Sequence, residues 1–95
     1  MKRLGIYFFF DKDGIVDKYV DYVLEDLTKH VDKLIVVCNG QLNERGRKTF
    51  EKFTGNIIVR ENKGFDVWAY KTAIDSEGWN KLIEYDEIIL MNYTI

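Results

Sequence analysis

Leu4-Gly5-Ile6-Tyr7-Phe8-Phe9-Phe10 is a nearly unbroken apolar run rich in aromatic side chains. A strand with one wet face alternates apolar and polar residues. A continuous run marks a strand covered on both faces, as in the interior of a parallel sheet. Leu34-Ile35-Val36-Val37-Cys38 repeats the pattern inside a second predicted strand, Lys33 to Asn39. Asn56 to Arg60 reads as a third strand and Glu87 to Met91 as a fourth, also buried.

The segments between these strands have helical spacing. Asp11-Lys12-Asp13-Gly14 breaks the first strand, with Asp13 placed to cap a helix and Asp17 in its first turn. Ile15, Tyr19, Val23, Leu27 and Val31 recur at every fourth position, and Val16, Val20 and Leu24 widen that stripe into the face of an amphipathic helix. Asn39-Gly40 reads as a turn. Asn43 to Phe53 reads as a second helix, with Phe50 and Phe53 inward and Gly55 as its C′ residue. Phe65 to Ser76 reads as a third, with Trp68, Ala69 and Ala73 toward the sheet and Gly78 ending it. Trp79 to Tyr85 is a short helical turn or loop. The order βαβαβαβ predicts an α/β fold: a Rossmann-like parallel sheet with right-handed crossovers and helices on both faces. The expected strand order is 3-2-1-4, with the switch point between the first and fourth strands.

Composition narrows the function classes. A chain of 95 residues makes one small domain or part of a larger one, and 46% hydrophobic residues argue against disorder. With 14 basic against 16 acidic residues, there is no surplus to cover a phosphate backbone, so no nucleic-acid partner is expected. The one cysteine, Cys38, excludes an internal disulfide and fits a reducing, cytoplasmic setting; a buried thiol is the ordinary reading of it. Gly5 to Phe10 is too short for the apolar core of a leader, and no stretch reaches the ~20 residues needed to span a bilayer. The sequence stops four residues after Met91, so residues 1–95 are expected to be a half-domain of a longer parent.

In an open α/β sheet, ligands sit outside the carboxyl ends of the strands. The loops there carry Phe10-Asp11-Lys12, Asn39-Gly40-Gln41, Glu61-Asn62-Lys63-Gly64 and Asn92-Tyr93-Thr94. Their amides, acids and lysines suit the base, ribose and phosphates of a nucleotide, and the helix starting after Gly64 would favour a diphosphate. Plainer readings stand beside these. Asp11 and Asp13 also suit turn and cap, Lys63 a solvated side chain, Asp66 a helix-start acid, Trp68 a core residue, and His30 a helix terminus. The chain has no Gly-x-Gly-x-x-Gly, P-loop, Cys/His cluster or Ser/His/Asp set.

Asn62-Lys63-Gly64-Phe65-Asp66-Val67-Trp68-Ala69-Tyr70-Lys71, then Trp79, Tyr85-Asp86 and Ile89-Leu90-Met91-Asn92-Tyr93-Thr94-Ile95, resemble the rhamnan synthesis protein F family. Ile6 to Asp11 and Leu34 to Gly40 fit the same pattern. Its members are glycosyltransferases of bacterial cell-surface polysaccharide and lipopolysaccharide assembly. The resemblance implies a GT-A-like fold whose first half binds a nucleotide-sugar. It also implies a deoxythymidine-diphosphate sugar donor, rhamnose first, and a glycan or lipid-linked acceptor. The parent would work at the inner face of the plasma membrane as a peripheral protein.

Carried over by position, Phe10 and Asp11 would lie near the base and Asn39 near the nucleoside. Asn62, Lys63, Gly64 and Asp66 would line the donor pocket. Asn92 and Thr94 would replace the short acidic motif that, in many such enzymes, holds Mg²⁺ or Mn²⁺ on the diphosphate. This chain has Tyr93 where the family more often has an acid, and hard divalent cations prefer carboxylate oxygens. No metal ligand is therefore assigned, and Lys63 or a basic group beyond residue 95 is expected to neutralise the leaving group. The implied chemistry is inverting displacement at the anomeric carbon, with Asp66 the candidate base here and the acceptor-binding half the better source. Residues 1–95 alone are expected to be inactive, and their open sheet edge invites association, self-association included. The alternative is a flavodoxin- or receiver-like interaction module. A receiver needs an aspartate ending its third strand, where Arg60-Glu61-Asn62 stand instead.

Overall fold

β1 (Arg3–Asp11) lies inside a four-stranded sheet, between β2 (Lys33–Gly40) and β4 (Glu87–Asn92), with β3 (Ile57–Arg60) beyond β2. All three pairings are parallel, so the order β3-β2-β1-β4 is the expected 3-2-1-4. The computed structural model describes residues 1–61 and 66–92, the side chains of 66–69 excepted. Four helices join the strands: α1 (Lys18–Thr28), α2 (Glu44–Glu51), α3 (Asp66–Glu77) and α4 (Trp79–Leu82).

The alternation of side chains along β1 and β2 divides the core in two. Tyr7, Phe9, Leu34, Val36 and Cys38 meet Val20, Leu24 and Leu27 of α1 and Phe50 of α2. Leu4, Ile6, Phe8, Ile35 and Val37 meet Ala73 of α3 and Leu82 of α4. The Phe9 and Phe50 rings meet edge to face at 5.4 Å between centroids. Each such fully buried apolar side chain contributes about 1.5–3 kcal/mol. That is why two strands with no polar position in their middles sit at the centre of the sheet.

Several local expectations are corrected. α1 is capped by Asp17, whose Oδ1 accepts from the Tyr19 N–H at 3.0 Å, and not by Asp13. Asp13 instead donates its own N–H to Asp11 Oδ2 at 2.9 Å. Ile15 and Tyr19 were expected inward but are 54% and 59% exposed. Ile15 precedes α1 and lies in the loop, and within the helix a strict four-residue series drifts about 40° per step, so the buried line runs through Val20, Leu24 and Leu27. α2 ends at a right-handed Lys52, and Gly55 is not left-handed, so it is no C′ cap. β4 was expected to be buried but is an edge strand: Ile89 and Met91 pack into the α1 side, while Ile88 and Leu90 stay 42% and 50% exposed. The apolar run requires only that one face find cover. The expected inward positions of Trp68 and Ala69 fall outside the described side chains.

Candidate functional site

Four parallel strands deliver their carboxyl ends to one edge, and residues paired in register project to the same face. Phe10 pairs with Asn39, Asn39 with Arg60, and Phe8 with Asn92. They belong to the same alternation as Phe8, Val37 and Ile58, which face α3. Phe10, Asn39 and Arg60 therefore form a row on one face at the carboxyl edge, with Asn92 on the same face one alternation step lower, level with Phe8.

Asn39 is the unusual member. It is 1% exposed, and its Oδ1 has no hydrogen-bond partner among the described residues. A buried acceptor left empty costs about 1–3 kcal/mol, so such groups are rare and each calls for an explanation. Beside it Arg60 is half-buried, with Nη1 shielded from water. On the same face, the Tyr70 hydroxyl of α3 donates to Oδ1 of Asn92. Phe10 is 39% exposed.

Asp11 stands on the opposite face and is committed to the backbone. Its Oδ2 accepts from the N–H groups of Asp13 at 2.9 Å and Ile15 at 3.0 Å, and its carbonyl accepts from Gly14. Gly14 has φ +71°, and a Cβ there would lie 2.7 Å from the Gln41 carbonyl carbon. Its own carbonyl accepts from the Asn43 N–H at 2.9 Å, which joins the loop after β1 to the loop after β2. Asp11 thus builds the rim, as its plainer reading had it. Asn62, Lys63, Gly64 and Thr94 lie outside the described residues, and so does the side chain of Asp66, the first residue of α3.

Other candidates are set aside by their surroundings. Cys38 is fully buried on the α1 side of β2, and burial pushes its thiol up to about 12, with the Arg47 guanidinium pulling weakly the other way. It is no nucleophile near neutrality. His30 is exposed at the end of α1, 3.9 Å from Asp26. Among the described residues no group of three or more His, Cys, Asp or Glu is disposed to hold a metal, and no helix is long and apolar enough to cross a membrane.

Two grooves open elsewhere on the surface, the first at the carboxyl edge but on the α1 side of the sheet, opposite the row, and the second at the amino edge. One, of about 330 Å³, runs between the starts of α1 and α2 along Lys18, Asp21, Arg45 and Thr49. The other, of about 300 Å³, lies at the amino end of β2 and β3, beside an ion pair between Lys33 and Glu77. Near that pair, burial and then the Glu77 carboxylate raise the Tyr85 hydroxyl above its ordinary range.

Arg60 and Tyr70 were not singled out from the sequence. Arg60 carried a signal, being the charged residue that ends the third strand, where an α/β sheet binds. Tyr70 carried none, because its reach to Asn92 depends on how α3 crosses the sheet. A family model described as rhamnan synthesis protein F matches residues 34–95, a span holding Asn39, Arg60, Tyr70 and Asn92. No curated protein and no solved structure matches the chain.

Proposed function

The chain belongs to the rhamnan synthesis protein F family, and on that premise we propose that it is the donor-binding part of a glycosyltransferase. The donor is a deoxythymidine-diphosphate sugar, rhamnose first, and the product a cell-surface polysaccharide. The observation that carries this reading is the buried Oδ1 of Asn39 at the carboxyl edge, without a hydrogen-bond partner among the described residues and in register with Phe10 and Arg60. A nucleoside brings N–H and O–H donors, and a sheet's carboxyl edge is where an α/β fold receives them.

In the reaction, an acceptor hydroxyl attacks the anomeric carbon. A new C–O bond forms as the bond from that carbon to the diphosphate oxygen breaks, and the electron pair departs with the nucleoside diphosphate. The hydroxyl's proton passes to a general base. Asp66, at the head of α3, is the candidate within this chain, and an acceptor-binding half of the parent is the other source.

Calorimetric titration of deoxythymidine-diphosphate-rhamnose into the chain and its Asn39→Leu variant tests the reading. The native chain should bind saturably. The variant should lose about tenfold or more in affinity while keeping or raising its unfolding midpoint, since replacing an empty buried acceptor by an apolar group relieves a penalty. Equal affinity in the two proteins would remove Asn39 from the site. No binding to the native chain would shift the balance to a non-catalytic interaction module.

A further inference from the structure

A departing nucleoside diphosphate needs positive charge close to it, from a metal ion or from a side chain. A metal would need hard oxygen ligands, carboxylates above all. The end of β4 offers Asn92-Tyr93-Thr94, with no carboxylate. The neutral amide oxygen at the end of β4, Asn92 Oδ1, already accepts the Tyr70 hydroxyl. Asp11, the acid at the end of β1, faces the other side of the sheet and has its Oδ2 engaged by two backbone N–H groups. Among the described side chains of β1 and β4, these donors do not fit a divalent ion.

Positive charge is nevertheless present on the row. Arg60 ends β3 in register with Asn39, on the face toward α3, with only the segment 61–65 between it and the start of that helix. Adjacent strands run about 4.8 Å apart, so one bound nucleotide can meet both side chains. A guanidinium presents parallel N–H donors that match two phosphate oxygens and stays charged at any working pH.

We propose that this chain binds the donor diphosphate without a divalent cation, and that Arg60 supplies the charge a metal would otherwise bring. This rests on the donor-binding reading above. In the transfer step, negative charge gathers on the diphosphate oxygen as the anomeric C–O bond breaks, and the Arg60 N–H groups hold that oxygen's phosphate.

The test is calorimetry of deoxythymidine diphosphate and deoxythymidine monophosphate against the chain, in EDTA and in Mn²⁺, with Arg60→Gln and Arg60→Lys variants. The diphosphate should bind in EDTA with an affinity within about twofold of that in Mn²⁺. Arg60→Gln should weaken the diphosphate about tenfold or more and the monophosphate less, and Arg60→Lys should recover part of the loss. Diphosphate binding that requires Mn²⁺, or that survives Arg60→Gln unchanged, overturns the inference and leaves the donor site standing. Binding of neither nucleotide under any condition overturns the donor reading and this inference with it. Should Arg60→Gln fail to fold, the EDTA and Mn²⁺ comparison on the native chain decides alone.

Discussion

Lys33 Nζ sits 3.0 Å from Glu77 Oε1, joining the start of β2 to the end of α3, and the Glu77 side chain is only 1% exposed. The Tyr85 hydroxyl donates to the other carboxylate oxygen at 3.5 Å. Lys33→Met strands a sealed carboxylate. It should cost about 2–3 kcal/mol, below the full penalty for a broken buried pair because Lys33 keeps some solvent. Urea unfolding measures the loss, and the double variant Lys33→Met/Glu77→Leu should recover most of it. A single variant as stable as the native chain would show that the pair is not structural.

Cys38 should be silent to alkylating reagents in the folded chain and reactive in urea. Its thiol is raised in the fold to about 12, against about 8.5 in an unfolded chain. Above the lower value the unfolded state releases a proton that the native state keeps. The thiol's contribution is therefore fully present below about pH 8.5 and is lost as pH climbs toward about 12. Unfolding midpoints from pH 7 to 11, compared between the native chain and Cys38→Ala, should show a steeper alkaline decline in the native chain. Parallel curves would contradict this.

Two glycine substitutions should part company. Gly14→Ala puts a Cβ 2.7 Å from the Gln41 backbone at φ +71°, and should destabilise by about 3 kcal/mol. Gly55→Ala meets nothing within 4 Å and has no positive φ. It should be neutral or stabilising by up to about 1 kcal/mol. Thermal melts of the two variants separate the cases, and similar midpoints would show that the loop junction at Gly14 is slack.

The start of α1 gives a similar contrast. Asp17→Ala removes the acceptor for the Tyr19 N–H and should cost about 1 kcal/mol. Asp13 takes part in the loop through its backbone N–H, so Asp13→Ala should change stability by less than about 0.5 kcal/mol. A larger loss at Asp13 than at Asp17 would return the cap to the position the sequence suggested.

Elements were more legible than faces. Leu4–Phe10 and Leu34–Cys38 announced central strands because long apolar runs favour a strand covered on both faces. The four-residue series from Ile15 to Val31 announced a helix and misjudged which side was buried, since periodicity gives a stripe and not its centre. Ile88 to Met91 read as buried for the same reason: a short apolar run does not say how many of its faces find cover. At the carboxyl edge, Asn39 and Asn92 could be placed from the sequence as strand-end residues on the proposed site. Asp11 also stood at a strand end, yet its carboxylate turned out to shape a loop.

Hydrophobic pattern and alternation were enough to determine the class of fold and the strand order, because both follow from local burial and the handedness of crossovers. The motif from Asn62 to Lys71 was enough to suggest the family. Tertiary structure decided which side chains share a face at the carboxyl edge. Register set Asn39 beside Arg60, and the path of α3 over the sheet brought the Tyr70 hydroxyl to Asn92. Those contacts depend on distances between residues far apart in the chain, and on whether a buried polar atom finds a partner. Neither quantity exists until the strands are paired.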